Sequence, residues 1–229
     1  MIKNHKTALM KREIITTSDG SKTIFLPDWN EQYHSKHGAV QEAMHVFIKN
    51  GFYNVAKEQI NILEIGFGTG LNAFITFLEI QNSTKKVKYT GVDHYPIPNE
   101  ELEQLNHLSM LDAQKFEKEY HKLQTCNWEE EIAISENFTL KKSAERFENL
   151  RYQKEFDLIY FDAFGPRVQP DLWTEEIFQN MFNALTAAGT LVTYCAKGSV
   201  RRTLQTIGFE IERLPGPPGK REMLRATKP

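Results

Sequence analysis

The stretch Ile60-Asn61-Ile62-Leu63-Glu64-Ile65-Gly66-Phe67-Gly68-Thr69-Gly70-Leu71-Asn72 decides the fold. Its first six residues read as a short buried strand. Three glycines follow at alternate positions. Leu71, Phe74, Ile75 and Leu78 then mark one face of a helix. Glycines at a strand-to-helix turn let the backbone bend tightly and approach a ligand closely. The dinucleotide fingerprint needs G-x-G-x-x-G, and here Leu71 stands where its third glycine belongs. No Lys-Ser/Thr pair follows, so the loop is not a Walker phosphate cradle either. Glu64, two positions before the first glycine, suits the ammonium of a nucleoside with a cationic amino-acid tail. Asp93, roughly 20 residues further on, ends the next strand, where a carboxylate can accept hydrogen bonds from both ribose hydroxyls.

Working outward, the pattern keeps alternating. Residues 88–93 read as a second strand. Residues 138–143 read as a third, after a helical insert over about 97–137. Residues 156–162 give the clearest strand pattern in the chain. Ile177, Phe178, Met181, Phe182 and Leu185 make an amphipathic helix, 189–196 another buried strand, and 199–206 a short helix. Two strands, 209–214 and 221–227, close the chain around a Pro/Gly loop. Strands alternating with helices imply a doubly wound, mostly parallel α/β sheet, and the two closing strands imply one antiparallel member. Upstream, 14–17 and 23–26 flank Asp19-Gly20 as a β-hairpin. Val40, Met44, Phe47 and Ile48 mark a helix ending at Asn50-Gly51. We therefore expect a hairpin-and-helix appendage over 1–50 and one catalytic domain over 51–229.

The 229 residues carry 28 basic and 30 acidic side chains, a net charge of −2. The sum hides an asymmetry: 97–136 holds ten acidic against three basic residues, and 197–229 eight basic against three acidic. A basic end keeps a nucleic-acid partner open, because such fields act locally. No apolar run approaches the roughly 20 residues of a membrane span. Residues 1–12 lack the apolar core of a leader. With only Cys126 and Cys195, a disulfide framework and a Cys-rich zinc site are excluded, and a reducing cytoplasm is expected. His34, His37 and His45 lack further ligands at metal spacing, so we expect no metal there.

A second motif lies at 156–174: Asp162 ends a strand and runs into Ala163-Phe164-Gly165-Pro166, then Pro170 and Trp173. A carboxylate with aromatics and prolines at a strand end forms a shaped, semi-rigid pocket. Thr174 before Glu175-Glu176 reads as a helix N-cap.

The glycine turn with its flanking acids resembles the class I S-adenosylmethionine-dependent methyltransferases. That resemblance implies a seven-stranded Rossmann-like sheet and a sulfonium methyl donor held by Glu64, Gly66, Phe67, Gly68, Thr69, Gly70, Asn72, Asp93, Ser143 and Asp162. In this reading Ser143 accepts a hydrogen bond from adenine. The whole chain, through Asp162-x-Phe164-x-Pro166, Trp173, Gly198-x-Val200-Arg201-Arg202 and Gly219-Lys220-Arg221-Glu222-Met223, resembles the MnmC-type tRNA methyltransferase domain. The resemblance implies methylation of the amine of 5-aminomethyl-2-thiouridine at the wobble position, in the anticodon stem-loop of tRNA. It also implies a separate flavin-dependent oxidoreductase acting upstream, since no second glycine fingerprint occurs. It places Glu42 near the donor, where the sequence alone gives a surface acid.

From the chemistry, Asp162 is the expected catalytic residue, orienting a neutral amine. Phe164, Pro166 and Trp173 are expected to wall the pocket. Arg201, Arg202, Lys220, Arg221 and Arg225 are expected to meet phosphates. The alternatives are a methyltransferase for a small molecule or protein, a nicotinamide oxidoreductase, which Leu71 argues against, and an RNA-binding module without a donor.

Overall fold

Uniformly apolar strands need cover on both faces, and their burial sets the architecture. In a computed structural model, which describes residues 11–229, both faces of the central strands are buried. The first ten residues, on which most of the no-leader expectation rests, lie outside the described residues.

Before the central sheet come β1 (Glu13–Thr16), β2 (Lys22–Leu26) and β3 (Glu31–Gln32), a small antiparallel sheet in the order β1-β2-β3. The expected hairpin is β1–β2, with Ile14 opposite Ile24 across the turn. Helix α1 (Ala39–Ala43) continues as a wider π-helical segment, Met44–Lys49, and stops at Asn50. Its Val46, Phe47 and Ile48 pack in one apolar cluster with Ile62, Phe74 and Tyr160 of the central layers. The helix is therefore an integral part of the main core.

The alternating unit then unfolds as the sequence implies. It runs β4 (Gln59–Ile65), α2 (Leu71–Glu79) and β5 (Lys86–Val92). The insert follows, with α3 (Asn99–Leu102), α4 (His107–Met110) and α5 (Glu117–Thr125). Next come β6 (Glu131–Ser135), β7 (Phe138–Ser143) and β8 (Phe156–Phe161). The chain ends with α6 (Glu175–Ala184), β9 (Leu185–Thr193), α7 (Gly198–Ile207), β10 (Glu210–Pro215) and β11 (Glu222–Thr227). Thr174 caps α6 as expected, its hydroxyl accepting from the Ile177 N–H at 3.4 Å. The strand order is β10-β11-β9-β8-β4-β5-β7-β6. β4 lies parallel between β5 and β8, and β11 is antiparallel to both its neighbours.

Eight strands replace the seven that the resemblance implies. The eighth, β6, comes from the tail of the region expected to be helical. Ile132 and Ile134 fall on one face, which packs on the core, while the strand pairs antiparallel with β7 and covers its edge. The start of the insert packs on the small N-terminal sheet, with Ile97 and Leu102 against Ile24 and Leu26, while Tyr120 and Leu123 of α5 join the main core. No helix among the described residues is long and apolar enough to cross a membrane.

The chain winds from β4 outward through β5 to β7, then returns to β8 on the other side of β4. Strand order thus reverses between β4 and β8, and in such sheets the ligand crevice opens beyond the carboxyl ends at that reversal. Gly91 of β5 helps shape this edge, because the Phe67 ring lies directly on it. A Cβ at Gly91 would stand 2.1 Å from Phe67 Cδ2 and 2.8 Å from Cγ. Gly91→Ala should therefore lower stability by about 1–3 kcal/mol through overpacking. Gly165→Ala, whose Cβ would meet only the Tyr194 hydroxyl at 3.4 Å, should stay within about 0.5 kcal/mol. Urea unfolding midpoints of the two variants check this.

Candidate active site

Adjacent parallel strands bring the two sequence motifs side by side. The Asp162 N–H donates to the Ile65 carbonyl at 2.8 Å, continuing the β4–β8 ladder beyond the strands. Gly66 then turns away at φ +90°, and a Cβ there would stand 2.7 Å from the Asp162 carbonyl oxygen. Only glycine serves both the close approach and the left-handed backbone. The Gly66 and Phe67 N–H groups both donate to the Val92 carbonyl, at 2.9 and 3.1 Å. Asp93 is fixed from both sides: Oδ2 accepts from Gly68 N–H and Oδ1 from Tyr95 N–H, each at 3.0 Å.

One amide organises the floor. Asn72, in the first turn of α2, uses its Nδ2 to donate to Glu64 Oε1 at 2.7 Å and to Asp162 Oδ2 at 2.9 Å. The Tyr89 hydroxyl donates to Glu64 Oε2 at 2.8 Å. Glu64 is 0 % exposed, beneath the cleft rather than on its surface. Burial pushes its carboxyl well above the ordinary range, against the hydrogen bonds from Asn72 and Tyr89. Burial also pushes Asp162 well up, and the charge of Glu42 adds to that push, while Asn72 and Lys220 oppose it. Asp93 is raised by burial and drawn back by its two backbone donors. The Asn72 Oδ1 is buried without a partner, an acceptor awaiting a donor.

The cleft above this floor has a volume of about 1300 Å³. Gly66, Phe67, Gly68, Thr69, Asn72, Asp93 and Asp162 line it, as does Phe164. The Phe164 ring meets Tyr33 edge-on at 4.9 Å and Trp29 at 5.7 Å, so the N-terminal sheet supplies aromatic wall. His34 joins that sheet to the glycine loop, within 2.9 Å of Thr23 Oγ1 and 3.2 Å of Thr69 Oγ1. Burial lowers its pKa to about 4, so the ring is neutral near pH 7. Across the mouth, Arg167 pairs with Glu31 at 2.8 Å.

Several expected site residues stand elsewhere. Trp173 is 7 % exposed and lies behind the wall, its Nε1 donating to the Phe164 carbonyl at 2.8 Å. It props the loop rather than lining the cleft, and Pro166 and Gly70 do not line it either. The Ser143 hydroxyl is buried and donates to Glu129, so it does not reach the cleft surface. Arg225 forms two bonds to Glu212, at 2.8 and 2.9 Å, which uses the guanidinium within the sheet. Lys220 lies in the cleft, paired with Glu42. Arg201 sits on α7, while Arg221 is an exposed residue just before β11; neither lines the cleft. Trp29, Tyr33, His34 and Tyr194, which line the cleft from elements remote in sequence, were not among the expected site residues. Among the described residues no group of three or more metal-ligating side chains occurs.

A family model described as S-adenosyl-L-methionine-dependent methyltransferase matches residues 105–229. The bifunctional protein MnmC of tRNA 5-methylaminomethyl-2-thiouridine biosynthesis from Cupriavidus metallidurans is 27 % identical over 227 residues, covering 92 % of this chain and 33 % of that protein. The protein of the same name from Marinomonas sp. is 28 % identical over 210 residues, covering 85 % and 31 %. The chain thus spans about a third of the length of these curated relatives. The crystal structure of MNMC2 from Aquifex aeolicus superposes with a TM-score of 0.73 at 25 % identity, covering 96 % of this chain and 72 % of that one.

The floor fits a cationic donor. Three raised carboxylates and an orphaned acceptor surround a cleft into which a sulfonium and an ammonium would bring the missing positive charge. A cation favours the ionised carboxylate, so binding should lower the raised proton affinities and release protons. S-adenosylmethionine affinity should then rise with pH through the range between the ordinary and the raised carboxylate values, by up to about tenfold per pH unit per proton released, and level off above it. Calorimetry in two buffers of different ionisation heat checks the sign, which must be proton release.

Proposed function

We infer the reaction from one premise: the chain belongs to the S-adenosyl-L-methionine-dependent methyltransferase family. We propose that it methylates the primary amine of 5-aminomethyl-2-thiouridine at the wobble position of tRNA, giving the 5-methylaminomethyl nucleoside. The observation that carries this reading is Asp162. One of its oxygens is held by Asn72, and Oδ1 has no protein partner among the described residues at the cleft surface. A carboxylate with raised proton affinity suits an amine, which must lose a proton before its lone pair can react.

The donor, when bound, supplies an electrophilic methyl group on sulfur. The chain's own residues do the rest. The backbone of Gly66–Gly68 and the carboxylate of Asp93 would hold the nucleoside part. Glu64 acts through Asn72, keeping the amide oriented between the two carboxylates. Asp162 Oδ1 would accept the amine N–H, orient the lone pair and take the proton. Phe164, with Trp29 and Tyr33, would flank the base and exclude water.

Recruitment of tRNA falls to cations without internal partners. Lys220 and Arg225 are taken up by Glu42 and Glu212, which leaves Arg201, Arg202 and Arg221 without an ion pair among the described residues. The names of the relatives support a tRNA, and their word "bifunctional" supports a second activity in the same biosynthesis, which we assign to a separate flavin-dependent oxidoreductase that exposes the amine. A tRNA substrate also supports a cytoplasmic location.

With hypomodified tRNA and labelled donor, the wild type should methylate the wobble nucleoside, read by nucleoside mass analysis. Asp162→Ala should lower the single-turnover rate by about 10²-fold or more. An unchanged rate and affinity would remove Asp162 from the reaction. Arg202→Ala should weaken tRNA binding at all sequences and reduce the salt slope of log K by about 1, leaving S-adenosylhomocysteine affinity unchanged. Filter binding across a salt series measures it.

A further inference from the structure

Two cleft residues, Glu42 and Lys220, form an ion pair beside Asp162. Glu42 projects from α1, and its side chain is only 12 % exposed. Its Oε2 accepts from Ser35 N–H at 3.0 Å, and its Oε1 pairs with the Lys220 ammonium. Lys220 comes from the β10–β11 loop, 178 positions away in sequence. That loop is fixed by its own bonds: Lys220 N–H donates to Pro217 at 2.9 Å and Gly216 N–H to Arg221 at 3.1 Å. The Lys220 Nζ stands 4.0 Å from the centre of the Tyr194 ring. Tyr194 is pinned in turn, its hydroxyl donating at 2.9 Å to the carbonyl of Ala163, the residue after Asp162. The ammonium is therefore held by a carboxylate, an aromatic face and the field of Asp162.

We propose that Glu42 and Lys220 are positioning residues for methyl transfer: a fixed ion couple that keeps the accepting amine uncharged and leaves Asp162 free to take its proton. The proposal rests on the amine acceptor inferred above. The groups that interact with Asp162 are Glu42 from α1, Asn72 from α2, Glu64 from β4, Tyr89 from β5, Tyr194 just after β9 and Lys220. Lys220 is the one cation among them. A fixed ammonium beside the site disfavours a second one, so the incoming amine gives up a proton. Asp162 Oδ1 receives that proton, and the freed nitrogen lone pair forms its bond to the methyl carbon as the carbon–sulfur bond breaks, its electron pair staying on sulfur as a neutral thioether. The product nitrogen departs as a charged secondary ammonium, and Asp162 returns its proton to water. Glu42 without Lys220 would act the other way, holding the amine as a cation and opposing ionised Asp162. Glu42 holds the ammonium in place and partly offsets its charge.

The two members act on Asp162 with opposite sign, which makes the proposal testable by direction. The measurement is kcat/KM for hypomodified tRNA against pH. Lys220→Met should move the acid limb up by about one pH unit, a tenfold loss on the acid side, with the high-pH plateau within a few-fold of wild type. Glu42→Gln should move the same limb down. Lys220→Arg keeps the charge and should hold the limb near its wild-type position. Rates that fall uniformly at every pH, with no movement of the limb, would overturn the proposal, as would shifts in one direction for both variants. S-adenosylhomocysteine affinity and thermal midpoints guard against misfolding. A second readout does not depend on the substrate: the side-chain carboxyl of Asp162 titrated by carbon NMR in the donor-free protein. It should move up in Lys220→Met and down in Glu42→Gln even if tRNA proves not to be methylated.

Discussion

Everything in this site follows from crowding carboxylates at the bottom of one cleft, Glu64 sealed beneath it and Asp93 and Asp162 part-exposed on its floor. Glu64 and Asp162 end up on adjacent strands and share one amide hydrogen-bond donor group, Asn72 Nδ2. Asp93 lies at the end of the next strand, and Glu42 faces Asp162 from outside the sheet. Buried carboxylates resist ionisation, and like charges resist it further. Such a floor is costly unless a cation arrives, and it discriminates strongly in favour of one that does. The same electrostatic demand that weakens the free protein gives it selectivity for a donor carrying a sulfonium and an ammonium.

The sheet makes that crowding possible. Parallel pairing of β4 with β5 and β8 puts three strand ends on one edge, and hydrogen bonds beyond the strands lock their relative height. The glycine loop has to pass over this edge with little room. Gly66 turns against the Asp162 backbone and the Phe67 ring settles on Gly91, so one loop touches both neighbouring strands. Close packing turns these contacts into fixed distances, which methyl transfer needs more than it needs acid or base strength.

Periodic and local features were legible in the sequence. β4, the glycine turn, α2, β8 with Asp162 at its end, and the cap at Thr174 each announce themselves within a dozen residues. What escaped was relational. Glu42 sits on a short helix whose pattern marks it as a surface acid, and nothing nearby says that Lys220 will return to meet it. Trp173 carried every local sign of a pocket wall, yet its Nε1 turned inward to the Phe164 carbonyl, and Trp29 and Tyr33 from the N-terminal sheet took the wall instead. β6 was hidden because a five-residue edge strand alternates too briefly to stand out from a helical insert.

The N-terminal sheet is then best understood as a roof. Its residues reach the loop after β8 through Arg167–Glu31 and the Phe164 contacts, and they reach the glycine loop through His34 and Thr69. A neutral His34 fits that position, because a charged ring would compete with the donor for the carboxylates below. In the proposed reaction the amine nucleophile would lose reactivity whenever water or a stray proton held its lone pair. Covering the strand ends with aromatic rings excludes the water, and setting Lys220 against Glu42 governs the proton. Roof and ion couple therefore serve the same end from opposite sides of Asp162.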